Sequence, residues 1–161
     1  MRHGGTQMYK SIVVGTNGTE KDLAVVSHAA GLANITGATL HIAHGFKPVT
    51  SIAAGIADSA PGAASIDFEA LNEAIQAENE NAFASARAIA SEAGVSVTEH
   101  SLGGEPADML IELARNLSAD LIVVGNHGMH TKKRFFQGSV ANRVVHHATC
   151  SVLVVDVETH R

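Results

Sequence analysis

SIVVGTNGTEKDLAVVSHAAGLANITGATLHIAHGF, residues 11–46, reads as strand, helix, strand. Ser11–Thr16 and Thr39–His44 are short apolar runs with β-branched residues, which suit a pleated surface. Between them Leu23, Val26, Ala30 and Ala33 recur at spacings of three and four, the stripe of a helix over about residues 20–35. Thr19 is placed to cap that helix and Gly37 to end it. Two strands joined by such a helix pair in parallel through a right-handed crossover.

The alternation continues to the end of the chain. Further strands are expected at Val95–His100, Leu121–Gly125 and Val152–Asp156. A long helix is expected over about residues 67–93, where Phe68, Leu71, Ile75, Phe83, Ala86 and Ile89 form the stripe. Another runs over about Pro106–Leu117, with Pro106 near its first position and Leu110, Leu113 and Leu117 on its apolar face. The last begins near Ser139 and ends near His147. The fold class is therefore α/β, Rossmann-like: an open parallel sheet of five strands with helices on both faces.

Strand chemistry sets the order. IVVGT and LIVVGN are apolar on both faces, as central parallel strands are, whereas VSVTEHS alternates like an edge. These patterns give the order 3-2-1-4-5. The last strand, SVLVVDV, then lies at the other edge although both its faces are apolar, and such an edge invites pairing. A homodimer through Val152–Asp156 is expected. Residues 47–66, rich in Ala, Ser, Gly and Pro, are expected to form one long loop after strand two. Residues 1–8 read as a loose N-terminal tail and residues 9–157 as a single domain.

Composition narrows the function. With 45% hydrophobic and 17% charged residues, the chain has a globular rather than a disordered make-up. Its formal charge is −5, and the only dense basic run is Lys132-Lys133-Arg134, so no nucleic-acid partner is expected. Three cations instead suit one polyphosphate. A single cysteine, Cys150, excludes an internal disulfide and fits a cytoplasmic home. No apolar window is long enough for a membrane span, and MRHGGTQ does not read as a secretory leader.

The chemistry concentrates after strand four. Gly125-Asn126-His127-Gly128 is followed nine residues later by Gly138-Ser139, at the head of the last helix. Ligands of open α/β sheets sit beyond the strand ends where the winding reverses, here between strands one and four. Gly125 and Gly128 let backbone approach a ligand. Free helical N–H groups at Gly138 and Ser139, with the helix dipole, favour an anion. Strand, G-x2-G, nine residues, G-S and helix together predict a phosphate cradle.

That spacing, G-x2-G-x9-G-[S/T], resembles the ATP-binding signature of the universal stress protein family. IVVGTNGTEKDLAVVSHAAGLA, LHIAHGF, GGEPADMLIELARNLSADLIVVGNHG and TCSVLVVDV are similar to that family's successive elements, over about Tyr9–Val157. The resemblance implies a dimeric stress-response module that binds ATP. The motif holds cations but no evident water-positioning carboxylate, so no enzyme beyond a weak ATPase is expected, and any Mg2+ would arrive with the nucleotide. By position it places Gly15, Thr16, Asn17 and Gly45 on the adenosine side. It places Val124, Gly125, Asn126, His127, Gly128, Gly138, Ser139 and Val140 on the ribose and phosphate side. The family usually carries aspartate where this chain has Asn17. A neutral amide keeps hydrogen bonds to a nucleoside but is a weaker base or metal ligand. Cyclic AMP binding and slow ATP hydrolysis are the alternatives that the resemblance leaves open, with a scaffold that binds no nucleotide as a further one.

Other chemistries lack their motifs. GxxxxGK[ST], GxGxxG after strand one, GxSxG and HExxH are all absent. Among ten histidines, His41 and His44 point to opposite faces of one strand, so no dedicated metal site is expected.

Overall fold

The computed structural model describes residues 8–60, 65–126 and 140–157. Along them run β1 (Ser11–Gly15), α1 (Glu20–Thr36), β2 (Thr39–Phe46), α2 (Val49–Ser59) and α3 (Phe68–Glu92). There follow β3 (Val97–Gly103), α4 (Pro106–Asn116), β4 (Leu121–Gly125), α5 (Val140–His147) and β5 (Ser151–Val155). The strands form one sheet in the order β3-β2-β1-β4-β5, and every neighbouring pair is parallel. This is the architecture and strand order expected from the alternation of apolar runs and helical stripes.

β1 is central because it is apolar on both faces. Ile12 and Val14 enter one core with Val26 and Ala30 of α1 and Phe83 and Ala86 of α3. Val13 points the other way, to Leu110 and Leu113 of α4 and Ala141 and Val144 of α5. Ile12, Val13 and Val14 are all fully buried. The period of two along one strand thus feeds two helical layers. Asp120 ties the β1–β4 seam at its start, its Oδ2 accepting from Lys10 N at 2.7 Å and Ser11 N at 3.0 Å.

Helix ends follow their residue types. The Thr19 hydroxyl accepts from Asp22 N and donates to Asp22 Oδ2 at 2.7 Å, so cap and first turn lock reciprocally. Gly37 closes α1 with φ 70°, its N–H bonded to Ala33 O. Asp67 caps α3 through two backbone N–H groups, at 3.1 and 3.0 Å. Only the later half of α3 packs against the core, through Ala82, Phe83, Ala86 and Ala90. Arg87 on that helix reaches Glu99 of β3 with two hydrogen bonds, at 2.6 and 3.0 Å.

Two expectations are corrected. Residues 47–66 do not form one long loop, because α2 occupies Val49–Ser59. The alanines that made the stretch look like filler are the strongest helix formers, and Pro48 stands at the helix start where its missing N–H costs least. The third strand begins at Val97, not Val95, because Val95 N is spent on Ala90 O at 3.0 Å in the turn that ends α3. That strand also runs on to Gly103, three residues past the expected end, and differences of one or two residues fall at the other ends. Among the described residues no helix is long and apolar enough to cross a membrane.

Candidate functional site

The site begins where two neighbouring strands part. Beyond β1, Thr16 N turns to Ala43 O of β2 at 2.8 Å. Beyond β4, Asn126 N turns to Val155 O of β5 at 2.9 Å. The two chains leave in opposite directions and open a crevice between them, as the strand order requires. Its empty volume is about 560 Å³, counting the space at its open mouth.

Seven residues singled out from the sequence line this crevice: Gly15, Thr16, Asn17, Gly45, Val124, Gly125 and Val140. Small residues keep it open. A Cβ at Gly45 would lie 3.2 Å from Met109 Sδ, and one at Gly15 would lie 3.4 Å from the Leu110 methyls. Asn126 is placed differently. Its Nδ2 donates to Asp156 Oδ1 at 2.8 Å, and its Oδ1 accepts from Val157 N at 2.9 Å. That side chain fastens the end of β4 to the end of β5. His127, Gly128, Gly138 and Ser139, with Lys132, Lys133 and Arg134, lie outside the described residues.

The β1–α1 loop is held from several sides. Gly18 has φ +76°, a left-handed conformation, and its N–H bonds Thr16 Oγ1 at 3.0 Å. A Cβ there would meet Ala82 Cα of α3 at 3.2 Å, so the loop lies directly on α3. Asp22 Oδ2 accepts from Asn17 N at 3.1 Å. From β2, the buried His44 reaches Thr16 O with Nδ1 at 2.9 Å. A carbonyl can only accept, so Nδ1 carries the hydrogen. The Phe83 ring stands edge-on to His44 with centroids 6.0 Å apart.

Several lining residues escaped the sequence reading. Ala43, Val123, Val25, Met109 and Leu110 make an apolar floor, with Pro106 and Asp22 nearer the polar loop. Asp22 was legible, since Thr19-x-x-Asp22 has the form of a capping box. Met109 and Leu110 were not, because on one face of α4 they read simply as core.

The crevice is therefore apolar within, glycine-lined at three strand ends, and carries a hydrogen-bonding loop along one rim. It can take a flat heterocycle against its floor and polar groups along its edge.

The family model described as the universal stress protein family matches residues 8–156. A universal stress protein of Methanocaldococcus jannaschii is 32% identical over 94% of this chain and 84% of its own. Universal stress protein A homolog 1 of Coxiella burnetii is 34% identical over 91% of this chain and 96% of its own. Among solved structures, a universal stress protein in complex with cAMP is 31% identical. It superposes with a TM-score of 0.70 over 93% of this chain and 98% of its own.

Proposed function

The chain belongs to the universal stress protein family, and from that footing we propose that it binds an adenine nucleotide, ATP foremost, in the crevice between β1 and β4. The observation that carries this reading is the lining itself. Gly15, Gly45 and Gly125 remove side chains from three strand ends around a floor of Ala43, Met109, Leu110 and Val123. A purine ring fits such a floor, and ribose hydroxyls fit the Thr16–Asn17 loop.

Charge orients the rest of the ligand. The Asp22 carboxylate on the α1 side repels phosphate and accepts from hydroxyls. The phosphates then run toward α5, whose first residue, Val140, lines the crevice. Sequence places Gly138, Ser139 and the basic triplet just before it. Mg2+ would sit on the phosphates and take oxygen ligands from them.

The protein acts as a sensor rather than an enzyme in this reading. Two copies pair through β5, an open edge whose Val154 is 36% exposed. Bound nucleotide alters the surface at the mouth of the crevice, and a partner reads that change. The second reading is cyclic AMP, favoured by the solved relative that holds it.

Calorimetry on the full chain with ATP and with cyclic AMP tests both. The expected result is saturable one-to-one binding of ATP. Ser139→Ala should weaken it roughly ten- to a hundredfold, the equivalent of about 1.5–3 kcal/mol for one charge-assisted hydrogen bond. Tighter binding of cyclic AMP would select the second reading. Absence of saturable heat with either ligand would end both.

A further inference from the structure

His41 and His100 are 59 positions apart in the chain, but the β2–β3 register brings them together. His41 pairs with Thr98, and Ala43 pairs with His100, so the two imidazoles lie diagonally on one face of the sheet. His41 Nδ1 is 3.0 Å from His100 Nε2. The ring centroids are 5.2 Å apart and the planes cross at 41°. Both residues are partly exposed.

We propose that His41 and His100 form a two-imidazole site for a divalent transition-metal ion of the copper, nickel and zinc class. Metal–nitrogen bonds of about 2.0–2.1 Å hold two nitrogens about 2.8–3.0 Å apart at a right angle and about 3.3–3.4 Å apart at the tetrahedral angle. The observed separation matches the first geometry and lies a few tenths of an ångström from the second. Ligation requires both rings to reorient so that their two lone pairs meet at one ion rather than face each other along the N–N line.

The electrostatics suit ligation. Burial lowers the pKa of His41, and the neighbouring His100 lowers it further; burial alone lowers that of His100. Both shifts favour the neutral ring, the form that binds metal. In the apo pair one ring donates its hydrogen to the other. On ligation that hydrogen moves, through solvent, to the far nitrogen of its own ring. Two coordinate bonds form and no net proton is released.

Imidazole nitrogens prefer copper, nickel and zinc, whereas magnesium and calcium prefer oxygen. This site is therefore chemically distinct from any magnesium that accompanies a nucleotide. Among the described residues no group of three or more His, Cys, Asp or Glu could hold a metal. Water completes the coordination, and the ion is exchangeable rather than structural. Its effect is to clamp the edge strand β3 to β2.

The test is a Zn2+ titration of the full chain, followed by the nitrogen-15 shifts of the histidine rings. His41 Nδ1 and His100 Nε2 should move together as coordinated nitrogens, with one-to-one stoichiometry and reversal by chelator. His41→Gln and His100→Gln, each checked for an unchanged fold by circular dichroism, should each weaken that event at least tenfold. The responses of the other histidines should persist. If those two nitrogens stay still up to millimolar Zn2+, the proposal fails and the contact is a hydrogen bond only. It fails equally if either variant binds as tightly as the parent.

Discussion

His44 and Thr16 are joined across the β2–β1 seam: the buried imidazole donates from Nδ1 to the Thr16 carbonyl at 2.9 Å. The bond fixes the first residue of the loop that lines the crevice. His44→Phe keeps an aromatic ring beside Phe83 but leaves that carbonyl without its donor. It should cost about 1–3 kcal/mol in denaturant unfolding. His44→Asn retains an amide donor near the same position and should lose less. Equal stability of the phenylalanine variant and the parent would deny the bond its role. Nucleotide affinity should fall in the same order.

Gly18 offers a backbone test of the same loop. At φ +76°, with Ala82 Cα 3.2 Å from any Cβ, alanine meets both conformational strain and a backbone contact. Gly18→Ala should destabilise by about 1–3 kcal/mol, read as a lowered thermal midpoint. Gly31, in the middle of α1, has nothing within 4 Å of an added Cβ. Gly31→Ala should therefore stabilise by about 0.5–1 kcal/mol through helix propensity.

Asp120 links stability to thiol chemistry. Its carboxylate receives the N–H groups of Lys10 and Ser11, and it lies close enough to Cys150 to oppose thiolate formation. Burial raises the Cys150 pKa most, Asp120 raises it further, and a hydrogen bond from Ile122 backbone partly offsets them. Alkylation of Cys150 should be slow at neutral pH and rise only in alkaline buffer. Asp120→Asn should move that rise to lower pH while costing about 1–2 kcal/mol of stability. A raised folded pKa also means that stability declines as pH climbs past the unfolded thiol value of about 8.5.

The histidine pair predicts an acid limb. Both pKa values are lowered in the folded state, so the unfolded chain takes up protons first as pH falls below about 6.5. The pair's contribution is complete above that value and diminishes below it until the folded rings protonate too. Unfolding free energies measured between about pH 5 and 8 should slope downward on the acid side. The double variant His41→Gln/His100→Gln should flatten that slope. An unchanged slope would exclude the pair as its source.

The architecture was legible because its strands are extreme cases. Ile12–Val14 and Leu121–Val124 are apolar without interruption, the pattern of strands buried on both faces. α2 was missed because its sparse stripe, Ile52, Ala53 and Ile56, sits among small residues and a glycine. The crevice was half legible. Glycines at strand ends announce themselves, whereas the α4 residues that wall it look like any core face. Asn126 sits within the motif, and its side-chain amide is tied to Asp156 and Val157 just beyond β5. The His41–His100 contact could not be read along the chain at all, since spacing says nothing about two strands until their register is known.

The central position of β1 also has a consequence for synthesis on the ribosome. β2 begins at Thr39 and can cover one side of β1 early, but β4, which covers the other, begins only at Leu121. At common translation speeds the interval is on the order of ten seconds. Throughout it a fully apolar strand has an unsatisfied flank, and the crevice has only one wall. Nascent chains should therefore be most vulnerable to chaperone capture and aggregation in that window. Ligand can assist folding only after it closes.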